Sequence, residues 1–544
     1  MEESEEETIE QEPIEESPVE TKPRWWPAIV ISAFLAIVLM KIWSGSGDNQ
    51  QERVLQTAGA LIISCVLLII WALIFSRFSK QRRLRILFSL IGAFALFGAC
   101  FRFDQVSGNM VPIFEWRWAN RSLPEVAING QSSGSTTSDS NTTGFSFPQF
   151  LGPTRDCKTP GPELATDWKA NPPKEMWRQD IGAAWSGFIV SDHRAITQEQ
   201  RDENEAVSCY DLLTGKMLWM HSNPGHYNTK IAGEGPRATP AIHEDKVYAL
   251  GATGILNCLE LPTGKPVWQR NIASDAGLKV DDEVDQTGAA KKRNKAKEWG
   301  YSSSPLIVED KVIVSAGGEA GKSLLAYNLD TGKPVWSGGD SRAGYSSACV
   351  ATIHGEEQIL IFNQDGLAAH ESETGSVLWS FKWEAGVPHV SMPVALPNNQ
   401  ILLSLGYGQG SKLVQVNKSE ESFSASELWS SRFMKAKFTN LISHKDHIYG
   451  LDDGILACID QENGRRKWKD GRFGHGQILM RANHILVMAE NGEVILIEAS
   501  PKRQIEVARF DALDSKTWNP HTLAGQYLLV RNHREAACYK LPVN

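Results

Sequence analysis

The sequence predicts an all-β protein, an eight-bladed β-propeller with four-stranded antiparallel blades, preceded by three transmembrane α-helices. Three observations predict it. A small residue, a glycine six places later and a tryptophan four places after that recur in a fixed frame at intervals of 39 to 68 residues. Three apolar blocks lie before residue 104, and a segment around Trp177 can complete the last repeat. Such intervals are typical of stacked four-stranded units.

An acidic tail opens the chain. Residues 1–23 are dense in glutamate, and the first twenty contain no basic residue. Such a segment buries too little apolar surface to offset the entropy lost on ordering. We expect residues 1–23 to be disordered and solvated.

Three apolar blocks follow within residues 24–103. They lie at about 25–43, 54–76 and 84–103. About 20 apolar residues span the hydrocarbon core of a bilayer as a helix, and the third block needs tilt or local thinning to do so. The blocks predict a multi-pass anchor, with buried globular helices as the alternative.

The charges between the blocks predict the orientation of the anchor. Residues 77–85 hold five basic side chains, whereas residues 44–53 hold one. Because positively charged loops stay in the cytoplasm, we expect a cytoplasmic (inner) membrane protein with a cytoplasmic N-terminus. The chain after about residue 104 is then periplasmic or otherwise extracytoplasmic.

A linker rich in Ser, Thr and Gly is predicted at 104–147, which leaves 148–544 for the propeller. Strict apolar alternation between short turns, as in 238–268, marks half-buried antiparallel strands. The copies of the frame contain Gly215 and Trp219, Gly264 and Trp268, Gly332 and Trp336, Gly375 and Trp379, and Gly464 and Trp468. A looser copy ends at Trp429, and a degenerate copy occupies 495–507.

The number of blades depends on how the ring closes. The strands after residue 527 lack an outer partner, and 174–182 supplies one in which Trp177 takes the place of the other tryptophans. Closure by this N-terminal strand gives eight blades. Seven blades result if 495–507 is an irregular extension.

The frame, with the turn D-x-x-T-G-K, resembles the pyrroloquinoline quinone (PQQ) repeat. That repeat builds eight-bladed quinoprotein alcohol dehydrogenases and the cofactor-free propeller lipoprotein of the outer-membrane barrel assembly machinery. The resemblance covers roughly 148–541. The opening F-P-Q-F-L-G-P-T-R-D-C is similar to that of a membrane-anchored or secreted subfamily of PQQ-binding-like propellers, with Cys157 where that opening has glycine.

The resemblance implies that each repeat tryptophan docks one blade on the glycine turn of the next. The implied docking residues are Trp177, Trp219, Trp268, Trp336, Trp379, Trp429, Trp468, Gly215, Gly264, Gly332, Gly375 and Gly464. An aromatic side chain of this size buries about 150–250 Å². We therefore expect these tryptophans to be structural rather than a cofactor platform.

A cofactor site would lie where the innermost strands meet the central channel. Arg237 could bind a PQQ carboxylate, Tyr301 or Trp518 could stack on the quinone, and Glu199 is a nearby acid. The channel segments are poor in acids and the chain has no adjacent cysteines, so no catalytic residue or metal ligand is singled out. The sequence therefore leaves two alternatives: the protein binds no cofactor, or it binds PQQ with Ca²⁺.

The formal charge of −9 argues against a nucleic-acid partner. The insertion 274–297 ends in the basic run K-K-R-N-K-A-K and predicts a solvated loop, with a contact surface for a partner or anionic headgroups as the alternative. We expect a binding or scaffold module for a protein or small-molecule ligand at the propeller funnel. The alternatives are a PQQ-dependent alcohol or sugar dehydrogenase that passes electrons to the membrane, and a sensor that signals inward.

Overall fold

The structure is a computed structural model. The residues it describes are 23–44, 49–119, 123, 145–229, 231–278, 299–318, 320–420 and 422–544. The predicted acidic tail up to residue 22, positions 120–122 and 124–144 of the predicted linker and positions 279–297 of the charged insertion lie outside these residues.

The chain divides into two compact units. The first comprises residues 1–104 and 114–119, and the second comprises residues 105–113 and 120–544. The segment 105–113, which the sequence placed in a linker, therefore belongs to the same unit as the propeller.

Helices make up most of the first unit. Helix α1 spans Trp26–Ser44, α2 spans Gln50–Ile70 and continues as a π-helical turn over Trp71–Phe75, and α3 spans Lys80–Cys100. The side chains of Asn49 and Ser79 cap α2 and α3 by accepting hydrogen bonds from backbone N–H groups of the first turn. All three helices are long and apolar enough to cross a membrane.

Eight antiparallel sheets form the propeller, as predicted: seven have four strands, and the sheet of blade 1 has a fifth strand beside its four. We number the blades in chain order, and strands within a blade run from the innermost to the outermost. Blade 1 contains Ile189–Ser191, Arg194–Arg201, Asn204–Asp211 and Met217–Pro224; blade 2 contains Ala241–His243, Lys246–Leu250, Ile255–Glu260 and Pro266–Asn271; blade 3 contains Leu306–Val308, Lys311–Gly318, Lys322–Asn328 and Pro334–Gly338; blade 4 contains Cys349–Ile353, Glu356–Asn363, Gly366–Glu371 and Val377–Lys382.

The second half of the ring repeats this order. Blade 5 contains Val394–Leu396, Gln400–Leu405, Gly410–Lys418 and Phe423–Ser431; blade 6 contains Ile442–His444, His447–Asp452, Ile455–Asp460 and Arg466–Arg472; blade 7 contains Gln477–Arg481, His484–Met488, Glu493–Glu498 and Ile505–Asp511; blade 8 contains Thr522–Ala524, Tyr527–Arg531, Glu535–Lys540 and Lys174–Asp180. The degenerate copy at 495–507 thus contributes to the two outer strands of a regular blade 7, and the count of eight is confirmed.

Several short elements of the described residues lie outside the four-stranded blades. They are strand Ser146–Phe147, the paired strands Asn228–Thr229 and Gly233–Glu234, the two-stranded sheet of Phe101–Val106 and Pro112–Trp116, and the short helix Ile272–Asp275.

The N-terminal strand closes the ring. Strand Lys174–Asp180 pairs antiparallel with Glu535–Lys540, with Trp177 opposite Cys538. The predicted closure of blade 8 by this strand is therefore confirmed, and the closure covers the edge that the third strand of that blade would otherwise expose.

The repeat tryptophans lie between adjacent blades. The indole of Trp177 lies on the turn of blade 1, where a Cβ on Gly215 would come within 2.7 Å of the ring. Its Nε1–H donates to the carbonyl of Leu212 in the same turn, at 2.8 Å. Gly215 has φ of +71°, which glycine adopts without strain. Corresponding indole–glycine contacts join Trp219 to Gly264, Trp268 to Gly332, Trp336 to Gly375 and Trp429 to Gly464.

Candidate functional site in the propeller funnel

One segment of the chain lies against the innermost strands of the propeller. Strand Ser146–Phe147 pairs with the innermost strand of blade 1, so it adds a fifth strand on the axial side of that sheet. Farther along, the backbone of Cys157 accepts a hydrogen bond from Met480 N–H in the innermost strand of blade 7, and Lys158 forms a parallel bridge with Met480. The segment 145–164, which contains the opening motif, therefore contacts the innermost strands of blades 1 and 7 on the channel side of the ring.

Arg155 fixes this axial segment. Its guanidinium is buried and donates to the carbonyls of Pro305 at 2.8 Å and Ser304 at 3.2 Å, just before the innermost strand of blade 3. Burial lowers the pKa of Arg155 to about 10. Cys157 has φ of +63°, so the backbone keeps the left-handed conformation at the position where the similar opening has glycine.

The funnel rim carries a second segment of the chain. We call residues 105–113 the tip. The N–H of Gly108 donates to Oε1 of Glu490 at 2.6 Å, and the carbonyl of Gly108 accepts from Nζ of Lys437 at 2.6 Å. These two side chains lie on blade 7 and just before blade 6's innermost strand. The tip therefore occupies the rim on the side of blades 6 to 8.

Two further contacts extend this arrangement. Nζ of Lys516 donates to the carbonyl of Val106 at 2.8 Å, and Nε2 of His475 lies 3.2 Å from Oδ1 of Asn109. Val106 is buried beneath these contacts.

Aromatic rings form the wall behind the lysines. The ring of Trp518 lies 4.9 Å from Phe438 and 5.1 Å from Trp185, measured between centroids. Nζ of Lys516 lies 3.7 Å from the Trp518 centroid and 4.6 Å from that of Trp185. These distances are those of cation–π contacts.

The four residues predicted for a cofactor site make their contacts with different neighbours. Arg237 stacks on Tyr227 and donates to the backbone carbonyls of Gly233 and Gly235, while burial lowers its pKa. Its donors are thus directed at its own loop.

Glu199 is an internal structural residue in blade 1. Its carboxylate is fully buried, accepts from Arg201 at 2.7 Å and from the N–H of Gly182 at 2.9 Å, and accepts from the hydroxyl of Tyr210. Arg201 keeps a raised pKa because Glu199 and Tyr210 outweigh its desolvation.

Tyr301 and Trp518 lie on different parts of the ring. Tyr301 is buried between blades 2 and 3, beside Gly254, and its hydroxyl has no hydrogen-bond partner among the residues that the structure describes. Trp518 lies before blade 8's innermost strand and donates from Nε1 to Glu490 at 3.0 Å. Of the four predicted residues, Trp518 is the one that helps to surround the tip.

The sequence did not single out Lys437, Glu490 or Lys516. Lys516 stands two residues before Trp518, which the sequence did single out, and that proximity was the available signal. Glu490 lies in the turn between the second and third strands of blade 7, where an acid is ordinarily solvated.

PQQ carries three carboxylates and an ortho-quinone and is usually held with Ca²⁺ by cationic and oxygen donors. The residues present do not fit such a group. The segment 145–164 pairs with innermost strands and occupies part of the channel, Arg237 donates to its own loop, and Lys437 and Lys516 donate to the tip. Within the described part of the chain, no group of three His, Cys, Asp or Glu side chains is placed to hold a metal ion.

Three histidines in the segments that precede innermost strands are buried in neutral form. Burial lowers the pKa of His389 to about 4 and the pKa values of His475 and His521 to about 3. Between pH 6.5 and 4 the unfolded chain binds protons at these sites that the folded chain does not. Stability therefore falls as the pH decreases, by about 1.4 kcal/mol per pH unit for each such histidine.

The variant His521→Gln tests this acid sensitivity. We expect proton uptake on unfolding at pH 5 to fall by about one, because Gln does not titrate. The measurement is the urea midpoint of the full chain in detergent between pH 8 and pH 4. An unchanged dependence on pH in the variant would show that His521 is protonated in the fold.

The fold, its axial segment and its indole–glycine joints define a PQQ-repeat propeller. A family model described as outer membrane protein assembly factor BamB matches residues 159–294 and 283–470, which is more than half of the chain. The chain belongs to this family.

Individual proteins match over shorter stretches. BamB of Moranella endobia is 28% identical over 149 residues, which cover 24% of this chain and 38% of that protein. Quinohemoprotein alcohol dehydrogenase ADH IIB of Pseudomonas putida is 28% identical over 141 residues, which cover 24% of this chain and 17% of that protein. The chain thus spans less than two fifths of either curated relative. Among solved structures, BamB from Moraxella catarrhalis matches at 14% identity with a TM-score of 0.46, over 68% of this chain and 98% of that one.

Proposed function

We propose that this protein is a membrane-anchored, extracytoplasmic PQQ-like propeller that serves as a binding and scaffold module for a protein or small-molecule ligand. One observation carries the proposal: the segment 145–164 pairs with the innermost strands of blades 1 and 7 and so occupies part of the channel. The ligand would then bind at the funnel rim and the loops, which a rigid ring of blades holds in fixed positions. Membership of the BamB family supports this function.

The membrane part of the proposal is supported by the helices and their flanking charges. Each of the three helices can cross a membrane by length and composition. The five basic residues of 77–85 favour the cytoplasmic side for the connection between α2 and α3. The propeller then lies on the extracytoplasmic side of an inner membrane.

Labelling of single cysteines tests this topology. We expect an impermeant maleimide to label Arg503→Cys, at an exposed site on blade 7, in intact cells. Arg82→Cys, in the basic connector, should be labelled only after the cells have been permeabilised. The unmodified chain is the control, since its propeller cysteines are buried. The opposite labelling pattern would overturn the orientation.

Titration with PQQ distinguishes the proposed binding function from the alternative function as a PQQ-dependent dehydrogenase. We expect the purified full chain with Ca²⁺ to show no saturable change in near-ultraviolet absorbance and no dye reduction with short alcohols or sugars. A quinoprotein alcohol dehydrogenase under the same conditions is the positive control. Saturable binding with turnover would establish the dehydrogenase instead.

A further inference from the structure

The tip is a turn closed by its own hydrogen bonds. The N–H of Ser107 donates to the carbonyl of Val111 at 2.8 Å, and the N–H of Met110 donates to the carbonyl of Ser107 at 2.9 Å. The hydroxyl of Ser107 accepts from the N–H of Val111 at 3.1 Å. The turn is therefore compact before any contact with the propeller is counted.

The propeller contacts the backbone of this turn with charged side chains. Glu490 accepts from the N–H of Gly108, Lys437 donates to the carbonyl of Gly108, and Lys516 donates to the carbonyl of Val106. Hydrogen bonds with one ionised partner are shorter and stronger than neutral ones. Because these bonds reach peptide groups, they recognise the path of the backbone rather than the side chains of the turn.

One position of the turn has to be glycine. A Cβ on Gly108 would overlap the imidazole of His475, which is itself buried. The backbone of His475 is anchored, because its N–H donates to Oε2 of Glu490 at 2.9 Å. A side chain at this position would therefore require the propeller wall to move.

The charged groups are positioned by the propeller as well as by the tip. The carboxylate of Glu490 also accepts from Nε1 of Trp518. Nζ of Lys516 lies against the rings of Trp518 and Trp185. The site is therefore largely preorganised, which lowers the entropy cost of binding.

Lys437 is held in a similar way. Its Nζ lies 4.8 Å from the ring centroid of Tyr407 and 5.1 Å from that of Phe438. Burial lowers the pKa of Lys437 to about 8. Both protonation states of the amine can donate to a carbonyl.

We propose that Lys437, His475, Glu490, Lys516 and Trp518 form a receptor for a tight polypeptide turn with glycine at its centre, which the tip occupies in cis and a partner protein's turn occupies in exchange. The proposal rests on the proposed function, since it names the class of ligand that the module binds: a protein loop with a central glycine. We call these five residues the turn receptor.

The test uses a labelled peptide of residues 105–113, Q-V-S-G-N-M-V-P-I, and the full chain in detergent. In the variant Gly108→Ala the tip should leave the turn receptor, so the peptide should bind at least tenfold more tightly than to the wild-type chain. A peptide with alanine in place of glycine should not bind. Gly92→Ala is the matched control, because a Cβ there meets nothing within 4 Å; it should behave as the wild type. Fluorescence anisotropy measures binding.

Amide hydrogen exchange shows whether the tip has left the turn receptor. Amides of 105–113 should be protected in the wild type and exposed in Gly108→Ala. Adding Glu490→Gln to that variant should weaken peptide binding at least tenfold. If Gly108→Ala does not fold, Glu490→Gln alone should expose the same amides. Unchanged protection in these variants, or a released tip without peptide binding, would overturn the proposal. Either result leaves the labelling and quinone experiments unaffected.

Discussion

Replacing Trp177 with alanine is expected to lower the free energy of unfolding of the propeller by about 3–5 kcal/mol. The indole belongs to the strand that closes blade 8 and lies on Gly215 in blade 1. The substitution removes a buried ring and the hydrogen bond to Leu212 at the joint that completes the circle. Urea denaturation of the full chain, followed by far-ultraviolet circular dichroism, measures the loss.

The matched control is Trp118→Ala. Trp118 is 61% exposed, so its removal should change the unfolding free energy by no more than about 0.5 kcal/mol. Trp177→Phe should fall between the two because it keeps an aromatic ring and loses the donor. Equal midpoints for Trp177→Ala and the wild type would show that this joint does not hold the ring closed.

Arg531→Ala is expected to cost at least about 3 kcal/mol, because it leaves three buried acceptors without their donor. The guanidinium of Arg531, which is 1% exposed, donates to Gly182 O at 2.7 Å and to Thr197 Oγ1 and Gln198 O at 2.8 Å. It thereby joins blade 8 to blade 1 on the axial side of the Trp177 joint. Burial lowers its pKa to about 10.

Arg503→Ala is the control for this substitution, since Arg503 is exposed on blade 7. We expect it to be neutral within about 0.5 kcal/mol. Arg531→Lys should recover part of the stability, because an ammonium can still reach some of the acceptors. A loss in Arg531→Ala no larger than in the control would show that the acceptors find other partners or water.

The repeat frame was a reliable guide to the blades because it encodes a local joint. A glycine at positive φ has no Cβ, so the indole of the neighbouring blade can lie directly on the turn. The glycine and the tryptophan therefore recur together. The joint of Trp379, where the turn of the next blade lacks the glycine, is different. Nε1 of Trp379 donates to Oε1 of Gln358 in its own blade rather than to the next turn. Blade 7 keeps its strand alternation without the frame, which explains why its sequence left the blade count open.

The site was harder to predict because its contacts join distant parts of the chain. Gly108 and Glu490 are 382 residues apart, and each looks like an ordinary turn residue in its own segment. Arg237 and Glu199 look available for a ligand because their neighbours in sequence do not reveal Tyr227 or Tyr210 as partners. Composition indicates that a charged residue lies near the funnel, but packing decides what it bonds to.

The pairing that completes blade 8 also has a consequence for biosynthesis. Arg178 and Tyr539, which are hydrogen-bonded in this blade, are 361 residues apart. Until the ribosome has made Glu535–Lys540, strand Lys174–Asp180 lacks its partner strand. Its unpaired backbone groups can then pair with the wrong strand. We therefore expect nascent chains that stall before residue 535 to be recognised by chaperones and proteases, however well their first seven sheets have formed.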